Sequence, residues 1–392
     1  MVDTKVSIER GHMPTRDLLE VMLRGTPQDL DAERQRVAAT KGKGDRTLVA
    51  AAEQEVATAP ERAITFDGTG PATVTAGARH YCGGRFALRS IRELEASVAK
   101  KRAATGPQPV KLSVLEGQDP VTDIGALQAM ASDSSLFQAA SQFNCLEAPD
   151  ACLVPVANYL RDPTQGPRAS VSAFPATLVR HYAAPDGTGG RFVQSEEHQI
   201  DLLNQALPAS IGRVESGYLM LSNVRDVPAA ARALEERFTE IRVGVHDEAQ
   251  VVLGHAWDGA VEGEPRIAQV FTSTLAAGGY GRGEAFAGPV ETICRQLLRA
   301  AYLGTLLAAL DLGKSRAVLT MIGGGVFGNP HWLICESVVW AVEKVQPFAP
   351  APLEVVLNSR DLDPEVDRAW LRAECERRGG GYRELGGHRS FR

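Results

Sequence analysis

The residues with the clearest chemical meaning form a corner of glycines. The apolar run Ala317-Val-Leu-Thr-Met-Ile322 ends at Gly323-Gly-Gly-Val-Phe-Gly-Asn-Pro330. Glycines let backbone N–H groups approach a ligand that a Cβ would hold away. Pro330 is placed to open a following helix, whose N-terminus carries partial positive charge. A phosphate or diphosphate suits such a corner, with Phe327 set to lie against a ribose or a base. Gly323, Gly325 and Gly328 also match the spacing G-x-G-x-x-G. A dinucleotide fold would want an acid about 20 residues on, after the next strand. This chain has Asn358, Ser359 and Arg360 there, and its glycines come late in the sequence, so that reading is set aside. A bare strand-to-helix turn remains as the alternative, although three adjacent glycines exceed what a turn requires.

A second polar segment, Ser141-Gln-Phe-Asn-Cys-Leu-Glu147, leaves the apolar run at 136–140. Amides and a carboxylate at the end of a buried strand stand where α/β sheets place ligand contacts. Gln142 and Asn144 are the amides. Asn144 can donate to and accept from a sugar hydroxyl, and Glu147 can act as a base or orient a cation. Turn capping is the plainer alternative for Asn144 and Glu147. Arg161-Asp-Pro-Thr-Gln-Gly-Pro167, stiffened by its prolines, precedes a helix and can bring Thr164 and Gln165 to the same crevice. His246-Asp-Glu248 is expected to end a strand, with His255 and Asp258 across a hairpin. Histidines on exposed hairpins are more often solvated than metal-bound, and no metal site is expected. HExxH, CxxC and GxSxG are all absent, which leaves zinc and serine-hydrolase chemistry unsupported.

Positioning these corners falls to an alternation of apolar runs and amphipathic stretches from Val110 onward. Strands are expected at 110–115, 136–143, 217–221, 241–245, 251–256, 268–272, 317–322 and 353–357. Helices are expected at 169–182, 196–207, 228–238, 290–310, 330–345 and 363–376. Strands separated by helices argue for a layered α/β fold, and the 241–256 hairpin argues for a mixed sheet. Residues 1–109 read as a mostly helical, partly mobile N-terminal region whose firm element is a helix at 90–101 capped by Ser90; residues 110–392 read as the ligand-binding domain. The chain of 392 residues is 44% hydrophobic and 23% charged, which is ordinary globular usage. Its 48 acids and 42 bases are scattered, net −6, and argue against a nucleic-acid surface. Apolar runs look too short to span a bilayer, the first residues lack the apolar stretch of a secretory signal, and the six cysteines do not make a disulfide framework. Reduced thiols and a cytoplasmic location are the resulting expectation.

Five motifs in order resemble the macro domain family: Ser141-Gln-Phe-Asn-Cys-Leu-Glu147, Asp162-Pro-Thr-Gln-Gly-Pro167, Ile241-Arg-Val-Gly-Val-His246, Gln269-Val-Phe-Thr-Ser273 and Gly323-Gly-Gly-Val-Phe-Gly-Asn329. The similarity is greatest to the branch related to poly(ADP-ribose) glycohydrolases, which includes a bacterial effector that removes ADP-ribose from arginine of ubiquitin. It spans about Cys82 to Asn358, and Gly83-Gly-Arg-Phe-Ala-Leu-Arg-Ser90 is similar to a segment ahead of the fold in such relatives.

The resemblance implies an α/β fold, a three-layer α/β/α macro-domain-like sandwich with a mixed sheet, with ADP-ribose lying across the carboxyl ends of the strands. It implies that Gly323, Gly324, Gly325, Val326, Phe327, Gly328 and Asn329 wrap the diphosphate and distal ribose, and that Asn144 contacts that ribose. An early aspartate, Asp123 in preference to Asp119, would hold the adenine amino group. Two positions depart from the family. Relatives read Gly-Pro-Ala-Cys-Ala where this chain has Gly166-Pro-Arg-Ala-Ser170, and Tyr-Glu-Ala-Thr-Leu where it has Tyr302-Leu-Gly-Thr-Leu306.

Cleavage of an N-glycosidic bond at the distal ribose would develop oxocarbenium character, for which carboxylates are suited. Glu147 is expected to activate water or stabilise charge, with Asp162 and Asp247 in reserve to engage a cationic arginine. The expected partner is ADP-ribose or an ADP-ribosylated protein, ubiquitin among the candidates, with no cofactor, nucleic acid or membrane. A reader that binds ADP-ribose without turnover is the alternative, and Arg168 and Leu303 favour it.

Overall fold

One sheet of ten strands organises the chain in the computed structural model, which describes residues 17–101, 106–149, 152–277 and 286–386. The strands are β1 (Ile64–Thr65), β2 (Ala72–Ala76), β3 (Arg79–Ser90), β4 (Val110–Glu116), β5 (Ser135–Ala140), β6 (Arg242–Gln250), β7 (Arg266–Thr272), β8 (Arg316–Thr320), β9 (Leu353–Arg360) and β10 (Tyr382–Glu384). Their spatial order is β1-β2-β3-β6-β7-β5-β8-β9-β4-β10. From β7 to β10 all neighbours are parallel; from β7 back through β6, β3, β2 and β1 they are antiparallel. The central parallel strands are almost wholly buried, which is why they read as apolar runs rather than as alternations.

Twelve helices accompany the sheet among the described residues: α1 (Leu18–Arg24), α2 (Pro27–Thr40), α3 (Thr47–Thr58), α4 (Pro60–Ala63), α5 (Ile91–Lys100), α6 (Ile124–Ala129), α7 (Gln165–Ser172), α8 (Phe174–Tyr182), α9 (Val227–Glu236), α10 (Pro289–Asp311), α11 (His331–Val345) and α12 (Arg368–Arg377). Strand side chains alternate between faces, so their partners show which helix covers which side. Val243 packs on Gly304 of α10, and Gln138 donates to the Ala301 carbonyl of the same helix at 3.2 Å. On the other face Gln269 donates to the Ala169 carbonyl of α7 at 3.0 Å, and His246 meets Arg180 of α8. The result is a three-layer α/β/α sandwich. By length and composition α10 would suffice to cross a bilayer, yet 83% of its most apolar window is buried inside the fold. It is a core helix, apolar on most sides because sheet and neighbouring helices surround it.

The structure corrects several expectations. From Leu18 to Ala63 the N-terminal region is helical, but residues 64–90 are not and supply three strands of the main sheet. The glycine pair Gly83-Gly84 hid the alternation of β3. The helices of this region also pack onto the rest: Glu53 of α3 accepts from the N–H groups of Val156 and Ala157, and Arg34 of α2 pairs with Asp119 at 2.6 Å. Residues 1–16, part of the region expected to be mobile, lie outside the described residues. The expected hairpin at 241–256 is instead one long strand, β6, which pairs antiparallel with β3 on one side and β7 on the other. The expected helix at 169–182 is two, because Pro175 has no N–H for the Val171 carbonyl. Turns replace the helix expected at 196–207: the Leu202 N–H is taken by Phe143 O, and its own carbonyl accepts from Arg242 N.

Candidate functional site

The sheet opens between β5 and β8. Their pairing runs from Arg316↔Ser135 to Val318↔Phe137 and stops, while β5 stays paired with β7 as far as Ala140↔Thr272. Two glutamine side chains serve the backbone groups left without a rung. Gln165, at the start of α7, donates to Gln138 O at 3.1 Å and accepts from Ala140 N at 2.9 Å. Gln138 in turn accepts from the Thr320 N–H of β8 at 3.3 Å and donates to Thr305 Oγ1 at 2.9 Å. Beyond these bridges lies a cleft of about 190 Å³ at the carboxyl end of the parallel strands. It is lined by Ala140 and Ser141, by Thr164, Gln165 and Gly166, and by the chain from Thr320 through Phe327 apart from Gly324.

The glycine corner is braced from behind and open in front. Tyr302 of α10 donates its hydroxyl proton to Thr320 O at 2.8 Å, and its hydroxyl oxygen accepts from Ile322 N at 3.2 Å. Asn329 donates to Leu275 O and Gly323 O, and its N–H closes the loop on Gly323 O at 2.9 Å. His331 accepts from Asp363 N at Nδ1, so its Nε2–H is the donor to Gly324 O at 2.8 Å. Gly323 has φ +71°, and a Cβ there would strike Thr274 and Asn329. Among the described residues the N–H groups of Gly323, Gly325 and Val326 have no hydrogen-bond partner. Val326, at 54% exposure, and Phe327 form the outer lip. The Gly324 N–H, between Gly323 and Gly325, is taken by Met321 O, and unpaired amides on a glycine turn make an anion-binding concavity.

Glu147 lies immediately behind Gly166. A Cβ on Gly166 would overlap the Ala140 carbonyl and come within 2.5 Å of Glu147 Oε2, so glycine alone lets α7 approach this closely. Ser170 donates to Glu147 Oε1 at 3.0 Å. Burial pushes the Glu147 carboxyl well above the usual range, and the nearby charge of Asp162 adds to this; the Ser170 bond and the Arg180 charge act the other way.

Arg180 is wholly buried. It donates to Cys145 O at 3.1 Å, Thr177 Oγ1 at 3.0 Å and Ser170 Oγ at 3.3 Å, and it stands 3.5 Å from the centre of the Phe271 ring. Burial lowers its pKa to about 10, which leaves it cationic at neutral pH. His246 is held neutral by burial and by that cation. Its Nε2–H donates to Gly83 O at 2.7 Å, so Nδ1 faces Arg180 as an acceptor. Cys145 adopts φ +62°, a left-handed backbone rare for a residue with a side chain, and so turns its carbonyl to the guanidinium.

The other expected site residues fall in several places. Thr164 and Gln165 share the cleft with Gly323, Gly325, Val326 and Phe327; Gly324 and Asn329 support the corner, and the Gly328 N–H closes on Gly325 O. Asp162 accepts from Thr164 N at 2.9 Å and so shapes the entry to α7. Gln142 and Asn144 do not line the cleft. Gln142 donates to Ala148 O and Tyr218 Oη, and Asn144 donates to Gln199 Oε1 while accepting from Leu146 N, so both amides hold the turn that carries Glu147. Asp123 caps α6 and pairs with Arg168, whose guanidinium lies 5.1 Å from the Trp257 ring centre. Leu303 is buried in α10 and does not line the cleft.

Asp247 requires a correction. It pairs with Arg85 and with Lys314, the residue leading into β8, at the opposite end of the sheet from the cleft. Because β6 runs antiparallel to β7, the end of its chain points away from the carboxyl edge. His246, expected on an exposed hairpin, is buried in mid-strand. Gln138, Arg180 and Tyr302 were not foreseen; the available signal was a polar residue inside an apolar run.

No family model matches the chain, and no curated protein does. Solved structures similar to it include poly(ADP-ribose) glycohydrolase from Thermomonospora curvata, at 18% identity and a TM-score of 0.40, covering 84% of this chain and 98% of that one. Another is poly(ADP-ribose) glycohydrolase from Deinococcus radiodurans in complex with ADP-ribose, at 11% identity and a TM-score of 0.40, covering 74% and 94%.

Two consequences are measurable. Gly166→Ala should lose about 1–3 kcal/mol or more in urea unfolding, whereas Gly325→Ala, which meets nothing within 4 Å, should stay within about 0.5 kcal/mol of wild type. Equal losses would contradict the close approach of α7. Next to Arg180, burial lowers His181 to about 4 from 6.5. The unfolded chain therefore takes up a proton below pH 6.5 that the folded chain refuses, and this stability is lost as pH falls from 6.5 toward 4. The slope is about 1.4 kcal/mol per pH unit. His181→Gln should flatten the wild-type curve by that amount across the window; parallel curves would refute the shift.

Proposed function

We propose that this protein binds ADP-ribose attached to a protein and hydrolyses the N-glycosidic bond that joins them, with arginine as the modified side chain and ubiquitin one candidate carrier. The observation that carries the reading is that the amides of Gly323, Gly325 and Val326 have no partner among the described residues, and that these residues line a cleft at the carboxyl ends of parallel strands. Such amides match a diphosphate, and the ordered motifs resembling macro domains name the adenylated sugar. In the reaction the bond from the anomeric carbon to the guanidine nitrogen breaks as that nitrogen takes the Glu147 proton, water adds its oxygen to the carbon, and the proton that water sheds returns to Glu147. Glu147, whose pKa burial raises at the base of α7, fits the proton donor; Asp162 at the same turn fits the partner of the cationic leaving group. Gly166 stands between Glu147 and the cleft, so the reading requires the first turn of α7 to yield when ligand enters.

That same screening favours the second reading, a module that binds ADP-ribose and leaves it intact. Incubation with arginine-ADP-ribosylated ubiquitin separates the two. Hydrolysis predicts free ADP-ribose from wild type and a loss of about 10²-fold or more in Glu147→Gln, with ADP-ribose affinity unchanged in calorimetry. Tight binding without release by wild type would leave the reader.

A further inference from the structure

Among the described residues, positions 85–89 of β3 have a sheet partner on one side only. β2 reaches no further than Ala72↔Gly84, whereas β6 pairs along the whole stretch from Arg85↔Asp247 to Ser90↔Arg242. In an antiparallel pair every second residue turns its N–H and C=O away from its partner. Among the described residues nothing meets those outward groups, and Ala87 is exposed beside them.

The open edge borders a groove of about 580 Å³, walled by Phe86 and Leu88, by Arg191 and Phe192, and by the segment from His198 to Gln205. Through Gln199, Ile200 and Asp201 the groove continues into a second hollow of about 480 Å³ that ends at Gly217. Gly217 packs on Asn144, and the next residue, Tyr218, places its ring 5.8 Å from that of Phe327 in the glycine corner. β3 runs in the same direction as β7, so this path lies at the cleft end of the sheet.

Its charged side chains are of both signs with acids in excess: Glu93, Asp186, Glu196, Glu197, Asp201 and Glu215 against Arg191, Arg213 and Arg242. Glu196, Glu197 and Glu215 line the second hollow, and Asp186 lines the first. The basic side chains along it are engaged: Arg242 by Asp201 O and Asn204, Arg213 by Glu215, and Arg191 over the Phe66 ring. We propose that this groove seats an extended, basic segment of a partner protein, which adds as a strand to the edge of β3 and runs toward the glycine corner. Backbone pairing supplies the docking, and the carboxylates select the charge. Naming that partner as the modified target rests on the proposed function; the seating of the segment does not.

The test uses the full chain and a fluorescent, unmodified Arg/Lys-rich peptide of roughly eight residues, long enough for a strand, without ADP-ribose. Saturable binding is expected, weakened at least tenfold by N-methylation of alternate peptide amides and by the double variant Glu197→Lys, Glu215→Lys. The variant should keep wild-type affinity for ADP-ribose, which reports that it is folded. Equal binding of the N-methylated peptide, equal binding of an acidic peptide, or no binding at all would overturn the proposal. ADP-ribose titration of the same sample reads the cleft separately, so failure of the groove and failure of the cleft are distinguishable.

Discussion

Everything at the site depends on keeping two strands apart without leaving their backbones unsatisfied. A gap in a sheet exposes N–H and C=O groups whose burial without a partner costs about 1–3 kcal/mol each. Here Gln165 and Gln138 take those groups at Gln138 O, Ala140 N and Thr320 N, and the gap becomes a permanent feature. Other details follow from it. For Gln165 to reach β5, α7 must lie against the Ala140 carbonyl, and that requires glycine at 166. With β8 freed from β5, its chain can turn at Thr320–Gly323, where the Tyr302 hydroxyl fixes the bend.

A single buried cation orders the polar side of this arrangement. Arg180 ties the carbonyl of Cys145, the hydroxyls of Ser170 and Thr177, and the ring of Phe271 into one unit, and through Ser170 it holds Glu147. A planar guanidinium can serve several acceptors and a ring face together, which a lysine ammonium cannot. Loss of one partner from such a buried network costs about 1–3 kcal/mol, because the group left behind stays buried without a hydrogen bond. Burial raises the pKa of the Glu147 carboxyl at its edge, against the opposing pull of the Ser170 bond and the Arg180 charge.

The sequence was informative where chemistry shows in residue type. Three glycines after an apolar strand, and Thr164-Gln165 before a helix, could be assigned to one crevice because both features are local. Strand direction could not be read that way. His246-Asp-Glu248 resembles a strand end bearing chemistry, yet the antiparallel setting of β6 sends Asp247 to the far edge, and only the pairing with β7 reveals it. Asn144 and Gln142 have the right type and neighbourhood, but their amides are committed to Gln199, Leu146, Ala148 and Tyr218. Gln138 sat unnoticed in an apolar run. Its importance is set by the partner lost on β8, a long-range fact. The N-terminal strands were missed because glycines and short lengths blurred their period, and because β1 to β3 find their place only against β6.

The amides of the glycine corner that lack a partner among the described residues are proposed to hold a diphosphate. The direct measurement is a ¹H–¹⁵N correlation spectrum of the protein titrated with ADP-ribose. The account predicts saturable downfield amide shifts at Gly323, Gly325 and Val326, reproduced by ADP and absent with ribose alone. Saturable binding that leaves these three resonances unmoved and shifts a different set of residues would contradict it.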